Sequence, residues 1–574
     1  MAHEDANQPA KRIKLSSTDT AQAGHTSTAP SASLLASLHR PISPPLPSST
    51  SSSSQTPNPN QPLNSLPTTS KPKLLSSPFQ LTHIRDLGSS SANNVDTVRL
   101  RDLLGDPMIR ECWQFNYLFD VDFLMQQFDE DVRALVDVKV VHGSWKREAP
   151  NRVRVDEACS RYPNVEPIVA YMPEAFGTHH SKMMILLRHD DLAQVIIHTA
   201  NMIPGDWENM CQAVWSSPLL PLQTQTQTQN GAEEASTTLG TGSRFKRDLL
   251  AYLSEYGPKK TGRLVDQLRK FDFGSVRAAL VASVPSKQKF GGLDSSRKTV
   301  WGWPALRDVL GSVPIQTEIN QDKTPHVVCQ MSSIASLGQT DKWLKDVFFR
   351  SLSLIKSNGT GRKSNAPKYS IIFPTADEIR RSLNGYGSGG SIHMKIQSVA
   401  QQKQLQYMRP YLRHWAGDAA SGSAAARERE RDAGRRRAAP HIKTYIRFSN
   451  QEMNSIDWAM LTSANLSTQA WGAGVNANDE VRICSWEIGV VVWPDLFAED
   501  ADRANGSVMV PCFKTDVPES REEDEGGKAS VRVGLRMPYG LPLVDYAADE
   551  KPWCATASHS EPDWMGQTWM DDPQ

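Results

Sequence analysis

One short pattern occurs twice in this chain, and that duplication limits what the chain can fold into. The first copy runs Gly177-Thr178-His179-His180-Ser181-Lys182, an apolar stretch, then His198-Thr199-Ala200-Asn201. The second runs Pro440-His441-Ile442-Lys443, an apolar stretch, then Thr462-Ser463-Ala464-Asn465. Each unit is His-x-Lys, a predicted strand, and an Asn at its end; Lys182 to Asn201 is 19 residues and Lys443 to Asn465 is 22. A repeated unit implies two copies of one fold, with His180 and His441 meeting across the join. Two imidazoles, two ammonium groups and two amides are parts suited to phosphoryl transfer. One ring attacks phosphorus, the other handles the leaving group's proton, and lysines and asparagines hold the non-bridging oxygens. His179 is out of register, because only His180 lies two residues before Lys182; His179, His142 and His198 are read as structural.

At 574 residues the chain has room for more than one domain. Its 63 basic and 63 acidic residues cancel, so net charge argues neither for nor against nucleic acid. Seven cysteines without a CxxC pair give no support for a zinc ribbon or a disulfide framework, and a reduced intracellular compartment is expected. The start, MAHEDANQ, does not read as a signal peptide, and no apolar run approaches the roughly 20 residues of a membrane span.

Residues 1–77 form a Ser/Thr/Pro/Gln tract with too little apolar content to pack, predicted as a disordered tail. Within it, Pro9-Ala10-Lys11-Arg12-Ile13-Lys14-Leu15 reads as a short nuclear-import signal. Beyond it, predicted strands at Val138–Val141, Pro167–Tyr171, Ala193–Ile197 and Ala278–Ser283 alternate with helical stretches at Val121–Met125 and around Phe245–Leu250. That alternation indicates an α/β chain, with a first domain at 78–276 and a second at 277–574. Insertions are expected at 216–242 and 416–438, and a solvated loop at 498–530.

Two further motifs are set aside. Gly385-Tyr386-Gly387-Ser388-Gly389-Gly390 matches GxGxxG, but it follows a helical stretch rather than a strand, so a glycine-rich turn is expected. His393-Met394-Lys395 is a third His-x-Lys, but no Thr-x-Ala-Asn follows it at the right distance; it is read as surface or strand sequence. No HExxH motif, paired His/Asp cluster or EF-hand loop occurs, so no metal and no cofactor is expected.

The paired His-x-Lys resembles the phospholipase D superfamily, whose typical motif is HxKxxxxD. Here the Asp position holds Leu187 in one copy and Phe448 in the other. That departure counts against lipid-cleaving members and is similar to the tyrosyl-DNA phosphodiesterases, which release stalled type IB topoisomerase from DNA 3′ ends. The resemblance runs through Gln114-Phe115-Asn116-Tyr117, Phe119-Asp120-Val121-Asp122, Val141-His142-Gly143, Phe176 to Met184, and Asp206-Trp207. It continues through Ser332 to Gly338, Pro440 to Tyr445, Thr462 to Ser467 and Trp486 to Gly489. It covers roughly residues 78–574.

The resemblance implies two phospholipase D-like α-β-α sandwich domains with mixed sheets, related by a pseudo-two-fold axis, and an active site at their seam. It implies His180 as nucleophile, His441 as general acid and base, and Lys182, Lys443, Asn201 and Asn465 around the phosphoryl oxygens. In place of the missing aspartates it points to Gln212 and Glu487 as partners of the two rings. From its place before the first motif, Phe176 is read either as a base-stacking ring or as core packing; Ser332, Ser333 and Ser467 are read as donors to DNA phosphates, as family equivalents are, or as ordinary loop hydroxyls. The implied partners are single- or double-stranded DNA 3′ ends carrying a tyrosyl peptide from topoisomerase I. A monomer in the nucleus, with no membrane partner, is expected. A general nuclease or a phospholipase of the same superfamily is the alternative.

Overall fold

A computed structural model of the chain describes residues 72–88, 92–223, 238–315, 324–354, 365–416, 431–499, 506–520 and 530–570. The import-like cluster, most of the Gln-Thr run and the acidic run at 521–525 lie outside the described residues.

Two mixed sheets carry the fold. In the first, the order is Gln80–Leu81, Ala213–Ser216, Leu192–His198, Met183–Arg188, Ile109–Phe115, Asp137–His142, Val165–Val169. In the second it is Ala279–Ser283, Glu487–Val492, Ile456–Thr462, Thr444–Phe448, His326–Gln330, Lys368–Ile372, Leu412–Arg413. Strand for strand the sense is the same: four antiparallel pairings, then two parallel ones. The duplication seen in the His-x-Lys units is therefore a duplication of topology. In each copy Lys opens into the strand before the hairpin, and Asn stands three residues beyond the hairpin's return strand.

The strand Met183–Arg188 shows why these runs are apolar throughout. Met183, Ile185 and Leu187 enter one core and Met184 and Leu186 enter another, as a period of two requires when both faces are covered. The first core crosses the seam and takes in Tyr445, Ile446 and Phe448 from the second sheet. Leu187 and Phe448, at the superfamily's Asp position, are thus fully buried core residues. The sheets meet through Leu192–His198 and Ala213–Ser216 on one side and Ile456–Thr462 and Glu487–Val492 on the other.

Three sequence expectations are corrected. The fold begins inside the supposed tail: Lys73–Leu75 pairs in parallel with Val531–Val533, extending the second sheet rather than the first. The supposed loop at 498–530 contains the strand Ser507–Cys512, which pairs with Val531–Arg536. The supposed insertion at 416–438 ends in buried structure, because Arg435 donates to the carbonyls of Thr82 (2.8 Å) and Asn93 (3.1 Å). The first and third rest on partners hundreds of residues away, Val531 for Lys73 and Thr82 for Arg435, and the second on a strand beyond an acidic stretch; local composition shows none of these. The glycine-rich turn is a short 3₁₀ segment, Gly385–Ser391, where a Cβ on Gly385 would stand 2.0 Å from the Asp563 carboxylate. Among the described residues no helix is long and apolar enough to cross a membrane.

Candidate active site

The two His-x-Lys units are each stitched to the opposite half by the same backbone bonds. His180 N–H donates to Trp486 O (2.9 Å), and His441 N–H donates to Cys211 O (3.2 Å). The acceptors immediately precede Glu487 and Gln212. The strap that delivers each histidine therefore delivers its partner as well. Gly177 lets the first strap approach, since a Cβ there would lie 2.1 Å from Cys484 O.

His180 Nδ1–H donates to Glu487 Oε2 at 3.0 Å, which leaves Nε2 free to attack. Glu487 is itself held by the Ser463 hydroxyl. Across the pseudo-dyad, Gln212 Nε2 lies 3.0 Å from His441 Nδ1, and Gln212 Oε1 accepts from the Thr199 hydroxyl (2.7 Å). Thr199 and Ser463 both stand two residues before the unit's Asn, so the two clamps match part for part.

Lys182 and Lys443 are fully buried. Lys182 Nζ donates to His180 O (3.3 Å), and Lys443 Nζ lies 3.3 Å from His441 Nε2. Burial pushes Lys182 down to about 8, against the pull of Glu487 and Asp206. Burial and then the charge of Lys182 push Lys443 well below the usual lysine range. Two buried cations that repel each other form a site built for an anion.

The imidazoles respond to the same field. Burial, then Lys182, lowers His180, with Glu487 opposing. Burial, then Lys443, lowers His441 to about 3, with Asp206 opposing. The roles of attacking ring and proton donor require opposite protonation states; burial first, and the lysines second, favour the neutral form of both rings.

Asn465 is fixed by its oxygen, which accepts from Ser332 N (3.1 Å), Ser333 N (2.9 Å) and the Ser332 hydroxyl (3.3 Å). Its amide NH₂ is left for a ligand. Ser332, expected on DNA phosphate, is buried and committed to Asn465. Ser467 caps the turn Thr468–Trp471 through Ala470 N (3.0 Å), while Ser333 is half-buried beside the site. Phe176 is 65% exposed on the strap before His180, where a base can reach it.

His179 is structural as read: Nδ1–H donates to Asn116 O (3.0 Å) and Nε2 accepts from Tyr256 OH (2.9 Å). His142 and His198 are buried, and burial lowers them to about 4 and about 3. His393 is exposed strand sequence, as read, and it stands beside the site. Its strand pairs with Ser333–Ile334, its N–H donates to Ser332 O (2.9 Å), and surrounding protein, then His180, lowers it to about 4. It reaches solvent at the rim of the site.

Sequence reasoning also missed Asp206. Its Oδ2 accepts from Asn201 N (2.6 Å) and Gln212 Nε2 (3.3 Å) and lies 3.0 Å from His441 Nδ1. The available signals were the resemblance running through Asp206-Trp207 and its place five residues after Asn201, in an otherwise ordinary helical start.

With this geometry in hand, comparison with known proteins is decisive. The family described as tyrosyl-DNA phosphodiesterase matches residues 78–547. This chain belongs to that family. Tyrosyl-DNA phosphodiesterases are phosphodiester hydrolases, so this chain is one too. A probable tyrosyl-DNA phosphodiesterase of Schizosaccharomyces pombe is 29% identical over 554 residues, covering 87% of this chain and 96% of the relative. Tyrosyl-DNA phosphodiesterase 1 of Drosophila melanogaster is 30% identical, covering 80% of this chain and 70% of the relative. In three dimensions the chain is similar to the crystal structure of the yeast tyrosyl-DNA phosphodiesterase, with a TM-score of 0.56 and 20% identity over 83% of this chain and 99% of the other. The phospholipase D-like fold expected from the paired motif is thus the fold present.

Proposed function

We propose that this chain repairs DNA by hydrolysing 3′-phosphotyrosyl linkages and related 3′-end adducts through a phosphohistidine on His180, leaving a 3′-phosphate. The observation that carries this is the paired cradle. Two buried lysines, one from either half, stand with two imidazoles that are each tethered at Nδ1, and each His-x-Lys unit ends in an asparagine assigned to the same phosphate. In the first step His180 Nε2 attacks phosphorus and the bond to the tyrosine oxygen breaks. His441 supplies that oxygen's proton from Nε2. In the second step water attacks phosphorus, His441 takes its proton, and the P–N bond breaks to return free His180. The phosphodiester's own negative charge offsets Lys182 and Lys443, and so raises the proton affinity of His441 when substrate binds. Lysine charge and directed amide donors stabilise the equatorial oxygens.

Phe176 is assigned to a DNA base and Ser333 and Ser467 to the strand's phosphates, on single- or double-stranded ends bearing a topoisomerase I-derived peptide. The protein acts as a monomer in the nucleus, where Lys11, Arg12 and Lys14 bring it. Microscopy of the Lys11, Arg12 and Lys14→Ala variant checks the last point; undiminished nuclear concentration would refute it.

The deciding experiment incubates a 3′-phosphotyrosyl oligonucleotide with the protein in excess EDTA and resolves products on a gel. Conversion to the 3′-phosphate is expected, with intact plain DNA and phosphatidylcholine left uncut. A strict requirement for added magnesium or zinc, or preferential cleavage of the lipid, would overturn the reading.

A further inference from the structure

We infer that Asp206 is the carboxylate partner of His441, and that Gln212 holds Asp206 and the ring in place rather than accepting the ring's proton. The inference deepens the phosphohistidine mechanism proposed above and rests on it.

The pseudo-symmetry exposes the problem that Asp206 solves. His180 has the carboxylate of Glu487, but the matching place beside His441 holds the neutral amide of Gln212. Gln212 Oε1 is occupied by the Thr199 hydroxyl at 2.7 Å, while Thr199 Oγ1 accepts Ala213 N–H at 3.1 Å. This turns the Gln212 NH₂, a donor only, toward both the ring and Asp206. Rotating the amide by 180° would instead set Oε1 about 3.3 Å from the Asp206 carboxylate oxygen, oxygen against oxygen. Gln212 can donate to His441 Nδ1 only while Nδ1 is unprotonated; once Nδ1 carries a proton, as it must in the imidazolium, its acceptor among the described residues is Asp206 Oδ2 at 3.0 Å. Asp206 is 1% exposed, and its proton affinity falls below the usual carboxylate range: burial works against this, and His441, the Asn201 N–H and Lys443 outweigh it.

The device has no counterpart in the other half. Five residues after Asn201 stands Asp206; five after Asn465 stands Ala470. Asp206 thus restores by an extra residue the charge that Gln212 lacks. With Nδ1 protonated, the Nε2 lone pair of His441 faces Lys443 Nζ and the reacting centre. The same carboxylate grips the Asn201 backbone, so the ring and one phosphate-holding asparagine are set by one anchor. The charged groups facing His441 are Lys443 on its own segment, Lys182 from the first sheet, and Asp206. The lysines lower the ring's proton affinity and Asp206 raises it. Asp206 is a positioning residue, acting on substrate only through His441.

The test is single-turnover kinetics of the full-length protein on a 3′-phosphotyrosyl oligonucleotide, following adduct formation and hydrolysis across pH. For Asp206→Asn, adduct hydrolysis is expected to slow about 100-fold, within the range for partners behind a catalytic group. The adduct should accumulate, and the alkaline limb of the first step should move to lower pH. Adding Gln212→Glu to that variant, which restores a carboxylate at the Glu487-equivalent place, should recover at least about tenfold. An unchanged pH profile and normal adduct hydrolysis in Asp206→Asn, with adduct trapped by Gln212→Leu, would overturn the proposal. If Asp206→Asn does not fold, histidine-selective ¹⁵N NMR of the wild type and of Gln212→Leu decides. A His441 Nδ1–H signal that survives Gln212→Leu supports Asp206, and its loss refutes it. Failure of the phosphohistidine reading is distinguishable, because then no variant, His441→Asn included, traps adduct, while the NMR result still reports on Asp206.

Discussion

His441 has two tasks of unequal difficulty. Tyrosine is a tolerable leaving group, with a parent pKa near about 10, so adduct formation can proceed slowly without an acid. Water is a poor nucleophile toward a phosphohistidine, so the second step depends more on the base. General acid–base help is typically worth about 10²–10⁴-fold, and most of that loss should fall on hydrolysis. His441→Asn is therefore expected to accumulate DNA joined to His180, seen as a denaturation-resistant, acid-labile band. His180→Ala should be inactive and trap nothing. A second expectation follows from the lysines. Lys182 is lowered to about 8, Lys443 further, and His441 to about 3, in each case first by burial. An entering anion raises all three, so the complex holds more protons than its parts. Calorimetry at pH 8 with a 3′-phosphate oligonucleotide, in buffers of different ionisation enthalpy, should report net proton uptake. Lys182→Met should reduce it; proton release would contradict the cradle's electrostatics.

At the scale of elements, the N-terminal strand separates two truncations that composition alone would treat alike. Lys73–Leu75 pairs with Val531–Val533, and Ser77 Oγ accepts from Arg536 N (2.9 Å) and Phe79 N (3.2 Å). Ser77 N–H also donates to Asp516 O (2.9 Å). Removing residues 1–71 should leave activity and Tm unchanged. Removing 1–77 strips these bonds and leaves Arg536 N, a buried donor, without its acceptor, costing about 1–3 kcal/mol. Thermal melting of the two truncations checks this; equal Tm values would mean the strand adds nothing.

At the scale of the molecule, the two sheets share one core. Ile185 and Ile197 from the first belong to the same buried cluster as Leu461 and Val490 from the second. Neither half closes that face alone, and each histidine's ring partner comes from the opposite half. A fragment spanning 72–276 is accordingly expected to expose the seam, bind a hydrophobic dye, self-associate in size-exclusion chromatography and lack activity. A soluble, cooperatively melting fragment would show that the halves are independent.

The order of the His/Lys/Asn units and the α/β alternation were determined by the sequence alone. Both rest on spacing within a few dozen residues, and a strand buried on both faces writes itself as an apolar run. Two copies of one fold could be inferred from two such runs, though not their seven-strand topology, and Gln212 and Glu487 came from resemblance, since no local spacing pointed to them. Tertiary structure decided the rest. Glu487 lies 307 residues from His180, and Gln212 lies 229 from His441. Arg435 reaches Thr82 across 353 residues. Such contacts form only when the two halves close, so nothing in the local pattern marks them. For the same reason Asp206 reads as an ordinary helix-start carboxylate, and His393, correctly read as strand sequence, carries no local sign of its place beside Ser332. Burial among two lysines then set the charge of both imidazoles, a property of the assembled seam and of no segment within it.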